Sequence, residues 1–423
     1  MTYLEIYNLL KNKFNLINEK IDIPELGTRV INIPFESFSH KLLPGENTYQ
    51  CNEHNIEFKT TYDLSSKFKA PHLNEIIETP DSKIKENINF NYSILIPIEV
   101  KKSKKTGKRR IKKVKTNGTI ILLHGLNEKD WSKYLPWAYK LMEQTGKQII
   151  LFPIAFHMNR TPAKWIDPRF LRTANKERKE IFPNIANSSF ANIALSARLQ
   201  FHPQRFLWSG LQSFYDVMQL IHEIRSGLHP RIKKNTSIDF FAYSIGSFLA
   251  NILLLTNSFG YLSKSKLFNF CGGPTLNRMN AASKYILDSE ANISVYSFYI
   301  EKFEQELKKD DRLQHYFSDL HPVGKYFRSM LEFHKMQNFR EKRFRELHKQ
   351  ISAIALKKDF VVPPSEVLNT LKGSDNKIPT KVRVMDFNYN YDHVIPFPPT
   401  KKLEREVDKS FNRVFRFAAK HLK

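Results

Sequence analysis

The sequence is short of cysteine: Cys51 and Cys271 are the only two in 423 residues. So few exclude a disulfide-scaffolded domain, and neither sits in a metal-ligand spacing. A reducing compartment suits such a chain. No stretch approaches the roughly 20 uninterrupted apolar residues of a membrane helix. The opening Met1-Thr-Tyr-Leu-Glu lacks the basic-then-apolar order of a secretory signal. Leu4, Tyr7, Leu9 and Leu10 are spaced instead as in an amphipathic helix. The expectation is a soluble, cytoplasmic protein. None of the 14 glycines opens a phosphate-cradling loop ending in Gly-Lys-Ser/Thr, which argues against nucleotide hydrolysis. His202, His222, His315 and His334 read as scattered helix and loop positions, without a metal spacing and a third ligand. Neither a metal nor a cofactor is expected.

Acidic residues are also few, 42 against 67 Lys+Arg, leaving 25 excess positive charges. The acid-free run Lys101–Lys115 (KKSKKTGKRRIKKVK) holds ten of them. A phosphate-binding arm would carry such charge. No interleaved aromatic platform, zinc-finger spacing or other nucleic-acid signature accompanies it, however. The run is read as a solvated loop between two strands, and nucleic acid is not an expected partner.

What the chain has is apolar material, at 41% hydrophobic and 13% aromatic residues. That is enough for two or three domains or one large domain with insertions. Residues 1 to about 85 read as irregular, broken by Pro34, Pro44, Pro71 and Pro80. Asn89–Pro97 alternates as a strand, with Arg110–Val114 as its hairpin partner. Thr119–His124 (TIILLH) and Gln148–Pro153 (QIILFP) are continuous β-prone runs flanking a helical pattern from Trp131 to about Gln144. Strands buried on both faces of a parallel sheet read this way. Residues 154–204 are polar and Pro-punctuated, and Arg205–Arg225 is helical. Ser237–Ala242, Lys266–Cys271, Ile351–Leu356 and Lys381–Phe387 complete the strands, and a helix spans about Lys402–Leu422. The charged, Phe-rich segment 276–349 is almost wholly helical in pattern and reads as an inserted cap.

Ala242-Tyr-Ser-Ile-Gly246 lies between a strand and a helix. A nucleophile on such a turn needs small residues two before and two after it, where strand and helix approach closely. Ala242 and Gly246 meet that demand; the bland alternative is a helix N-cap serine. A tetrahedral oxyanion needs two backbone N–H groups aimed at one point. Ile245, after the serine, supplies one. Leu126, in the His124-Gly125-Leu126 loop, is the natural second, with Asn127 behind it.

This order of parts resembles the α/β-hydrolase superfamily, in an uncharacterised branch, over roughly residues 88–156 and 237–423. The resemblance implies an α/β-hydrolase fold, with a mostly parallel central sheet and helices on both faces. It implies Ser244 as nucleophile and an acid just after the next-to-last strand, where Asp359-Phe-Val-Val-Pro363 stands. It implies a histidine after the last strand, where His393 stands in Tyr391-Asp-His-Val-Ile-Pro396. Serine needs an imidazole to take its proton, and the imidazole needs a carboxylate to hold its tautomer. A rival pairs Asp392 with His421, but His421 falls inside the terminal helix. His157 and Arg160, beyond the strand Gln148–Pro153, are candidate substrate-binding residues, or else a loop pinned by its own hydrogen bonds.

The expected organisation is an N-terminal extension (1–87), a first part of the core (88–275) with a loop-rich insertion at 154–204, a helical cap (276–349) and the rest of the core (350–423). The expected function is a serine hydrolase cleaving a carboxylic ester, or a thioester or amide, of a small acyl substrate. Phe298, Phe303, Phe317, Phe327 and Phe333 are candidates to roof an acyl pocket. The alternative function is a non-catalytic scaffold binding an acidic partner through the basic 101–115 hairpin.

Overall fold

The computed structural model describes residues 1–45, 49–51, 53–59, 62–102 and 109–423. The middle of the basic run, 103–108, lies outside them. The described strands are β1 (Lys20–Ile23), β2 (Thr28–Glu36), β3 (Tyr49–Cys51), β4 (Ile56–Phe58), β5 (Asn89–Lys102), β6 (Arg109–Lys113), β7 (Thr119–Leu123), β8 (Gln148–Leu151), β9 (Ile238–Tyr243), β10 (Leu267–Phe270), β11 (Ile351–Leu356) and β12 (Lys381–Met385). The main sheet runs β1-β2-β5-β8-β7-β9-β10-β11-β12, with β6 paired to β5. From β8 to β12 every pairing is parallel. β5 joins β8 antiparallel.

The continuous apolar runs explain the parallel block. Every residue of β7, β8, β9, β10 and β11 is buried, because helices cover both faces. Alternate side chains enter two separate cores. Ile121, Leu123, Phe240 and Ala242 pack toward helices Arg205–Ser226 and Ile245–Thr256. Ile120, Leu122, Phe241 and Tyr243 pack toward helices Leu135–Thr145 and Glu404–Leu422. With its strand order and helices on both faces, this is the α/β-hydrolase fold. Among the described residues no helix is long and apolar enough to cross a membrane.

The first 87 residues are not an appendage. Helix Tyr3–Lys13, capped by Thr2 and Glu5, docks on the C-terminal helix, where the Tyr3 amide donates to Asp408 Oδ1 at 2.9 Å. β2 pairs with β5 through nine residues, so the sheet begins in this region. Pro34 hides that strand from a sequence reading. It is tolerated because β1 covers β2 only from Thr28 to Ile31, leaving Pro34's missing donor on an unpaired side. The 154–204 segment likewise holds two helices, Pro168–Ile181 and Ile193–Phe201. The first buries only Leu171, Ala174 and Arg178, too narrow a stripe to stand out among its charges. The 276–349 insertion between β10 and β11 carries five α-helices, after an irregular stretch running to Asp288.

Candidate active site

The turn between β9 and helix Ile245–Thr256 is as tight as its sequence demands. Ser244 sits at φ 56, ψ −121, a backbone region that costs a non-glycine residue about 1–3 kcal/mol. A Cβ on Gly246 would stand 2.6 Å from the carbonyl oxygens of both Leu123 and His124. Only glycine lets the helix start so close to β7. Ser247 secures the turn from inside, its hydroxyl donating to Ala242 O at 2.9 Å.

The fold brings three of the expected residues together. His393 Nε2 lies 2.7 Å from Ser244 Oγ, and its Nδ1 lies 2.8 Å from Asp359 Oδ2. All three are buried. The other carboxylate oxygen of Asp359 accepts the amides of Val361 and Val362 at 3.0 and 2.8 Å, which fixes its orientation. The rival pair is not assembled: Asp392 caps the amide of Ile395, while His421 Nε2 lies 2.9 Å from Gln350 O.

The loop after β7 faces Ser244. His124 is held neutral, its Nδ1–H donating to Gly125 O and its Nε2 accepting the Ile154 amide at 3.1 Å. Burial keeps its pKa well below the ordinary histidine value. The Gly125 amide donates to Tyr134 Oη at 2.9 Å. The amides of Leu126 and Ile245 have no acceptor among the described residues. Asn127, at φ 60, sends its side-chain amide to Ala191 O and Tyr285 O, tying the loop to both insertions.

Two cavities meet at Ser244. One, of about 320 Å³, is bordered by Glu128, Lys129, Asp130, Tyr285 and His393. Burial pushes the Lys129 ammonium down to about 8. The other, of about 280 Å³, is largely apolar, with Leu199, Phe206, Met279, Val295 and Ile300 on its walls. Leu126, Ser244 and Ile286 belong to both. The cap insertion therefore does contribute a roof, but not with the expected phenylalanines. Phe303, Phe317, Phe327 and Phe333 are buried, Phe317 against Trp208 and Phe327 against Phe206 and Phe248, and neither they nor Phe298 line the two cavities.

Arg160 does not reach this site. It is fully buried and committed to Asp216 Oδ2 at 2.7 Å, Asn87 Oδ1 at 3.0 Å and Pro153 O at 3.1 Å. A guanidinium so paired has no free donor face for a substrate. His157 is also buried, its Nδ1–H donating to Ala155 O at 2.7 Å, and it lines neither Ser244 cavity. Both residues pin their own loop.

Sequence reasoning overlooked the supports of His393. The Tyr243 ring stacks on the imidazole at 5.3 Å and 17°, and its hydroxyl donates to the His393 carbonyl. Lys133 bridges Glu128 and the Val394 carbonyl, so the β7 loop and the His393 loop are clamped together. Tyr243's place immediately before the serine was an available signal. Lys133 offered none, since the Val394 carbonyl that it reaches lies 261 residues further along the chain.

Among solved structures the chain is similar to a cold-adapted esterase from an Arctic intertidal metagenomic library, at 9% identity over 97% of this chain and 100% of that one, TM-score 0.38. It is also similar to carboxyl esterase 2 from Tuber melanosporum, at 9% identity over 79% and 82% of the two chains, TM-score 0.40. A third is the Pyrococcus horikoshii acylaminoacyl peptidase, at 14% identity over 79% of this chain and 40% of that one, TM-score 0.38. The architecture is read from the strand order and the turn at Ser244 rather than from these likenesses. No curated protein matches the chain. A family model, however, matches it from residue 1 to residue 423. The chain belongs to that family, DUF6051, a family of unknown function.

Proposed function

We propose that this chain is a serine hydrolase cleaving a carboxylic ester, or a thioester or amide, through an acyl-enzyme on Ser244. The observation that carries the reading is the unbroken hydrogen-bond chain Ser244–His393–Asp359 at a strained turn. Ser244 Oγ attacks the acyl carbonyl carbon as its proton passes to His393 Nε2. The Asp359 carboxylate, accepting Nδ1–H, holds the tautomer and balances the imidazolium. The oxygen that becomes negative takes hydrogen bonds from the amides of Leu126 and Ile245. The imidazolium then protonates the leaving group. A water, losing its proton to His393, attacks the acyl carbon and returns Ser244 to its starting state.

The two cavities divide the substrate between them. The compartment under Met279, Val295 and Ile300 receives the acyl chain, and the compartment that Glu128 and Lys129 border receives the leaving group. A fluorophosphonate probe tests the chemistry: wild-type protein takes up the label and Ser244→Ala does not. A panel of esters and thioesters of rising acyl length then reads the apolar compartment. Labelling that survives in Ser244→Ala, or is missing from both proteins, defeats the reading.

A further inference from the structure

Four side chains, among them Cys51 and His315 that show no metal spacing along the sequence, meet outside the two cavities at Ser244. Cys51 ends β3, and His54 lies in the turn before β4. His315 belongs to helix Asp311–Phe317, and His321 is the residue just before helix Pro322–Ser329. One donor atom from each lies within 4.8 Å of all the others. Cys51 Sγ is 3.6 Å from His54 Nδ1 and 3.7 Å from His321 Nε2. His321 Nε2 is 3.0 Å from His315 Nε2.

These separations suit a tetrahedron. Zinc at about 2.3 Å from sulfur and about 2.0–2.1 Å from nitrogen sets S···N near 3.6 Å and N···N near 3.3 Å. As hydrogen bonds alone the cluster is poor. The three rings cross at 80–87° with centroids 4.6–5.0 Å apart, aiming nitrogens at one another and at a thiol. A neutral imidazole has one N–H to share among such contacts. Glu53 Oε2 lies 3.3 Å from His321 Nδ1, leaving Nε2 turned inward. Metal-bound histidines characteristically have such a carboxylate behind them.

We propose that Cys51, His54, His315 and His321 form a metal site for Zn²⁺. One thiolate and three imidazoles are donors for zinc and its transition-metal neighbours, and poor ones for Mg²⁺ or Ca²⁺. Entry of the ion displaces one proton, from the Cys51 thiol. Four protein ligands close the coordination sphere, so the site is structural. It joins the β3–β4 hairpin of the N-terminal region to the cap insertion, across 270 residues of sequence between Cys51 and His321.

The test uses the full chain expressed with zinc. Elemental analysis should give about one zinc per chain in wild type and under about a tenth of that in a Cys51→Ala, His321→Ala double variant. Cobalt substitution should give intense tetrahedral visible bands and a thiolate-to-cobalt charge-transfer band. Glu53→Gln should keep the stoichiometry and weaken zinc binding about 10- to 100-fold. Wild type no richer in zinc than the double variant overturns the proposal, as does a cobalt spectrum without the thiolate band. If the double variant does not fold, wild type decides alone: adding zinc to chelator-treated protein must raise its melting temperature, and no rise overturns the site. None of these readouts depends on Ser244 chemistry.

Discussion

The rim around Ser244 and the segments attached to it share one apolar core but differ in the polar contacts that fix their arrangement. The rim stands on strands that are mostly apolar and buried on both faces, and its geometry follows from backbone turns at their ends. The attached segments share that apolar packing and add buried ion pairs between one another. Arg198 pairs with Asp81 at 2.6 Å, joining the 154–204 segment to the N-terminal region. Arg178 grips both oxygens of Asp288 at 2.8 and 2.9 Å, joining it to the cap. Arg160 and Asp216 pair at 2.7 Å with neither side chain exposed. Buried pairs like these add little net stability over well-packed apolar residues, but they specify one arrangement, and losing one partner is costly.

Three substitutions or conditions would break or sharpen that contrast. The largest effect belongs to the rim. Asp359→Asn should lower ester turnover about 10⁴-fold, since the imidazole loses its tautomer and counter-charge, while the melting temperature shifts little. Steady-state kinetics beside thermal unfolding checks it, and an activity within tenfold of wild type would remove Asp359 from its role. Next comes the periphery with its buried ion pairs. Asp288→Ala leaves the Arg178 guanidinium buried without a partner and uncaps helix Ser289–Tyr296. A loss of about 3–5 kcal/mol follows, read from urea unfolding. A loss under about 1 kcal/mol would mean that the pair is not what anchors the cap.

The smallest effect concerns acid. Burial pushes His157 and His229 down to about 4. His229 Nδ1 accepts the amides of Arg231 and Ile232, a role only the unprotonated nitrogen fills. Both histidines take up protons more readily when unfolded. Their contribution is therefore complete above pH 6.5, declines as the pH falls, and is gone below about 4. For His157 it is about 3 kcal/mol in order of magnitude. Unfolding curves at stepped pH check it; His157→Gln should flatten the slope over that interval.

The strands β5 and β7–β12 could be read from the chain because alternation and apolar runs are properties of neighbouring residues. So could the turn at Ser244, where small residues at fixed offsets answer a local steric demand. β2 could not, because Pro34 contradicts a strand until the absence of a partner on that side is known. The helix Pro168–Ile181 was obscured by its own charges. For His157 and Arg160 the sequence left two readings open, a substrate contact or a self-pinned loop, because adjacency to a strand end brings a residue near the rim but does not say which way it faces. Arg160 turned inward because Asp216 and Asn87 were there to receive it.

By itself the sequence determined a parallel sheet and a strained serine between strand and helix, both local matters of sterics and hydrophobic periodicity. The strand ends expected to supply an acid and a histidine came from the resemblance to α/β-hydrolases. Tertiary structure alone decided that Ser244, His393 and Asp359 lie within hydrogen-bond reach, that the cap presents Met279 and Val295 rather than its phenylalanines, and that Cys51 and His54 face His315 and His321. Those outcomes depend on distance and burial across the fold, which separation along the chain does not measure.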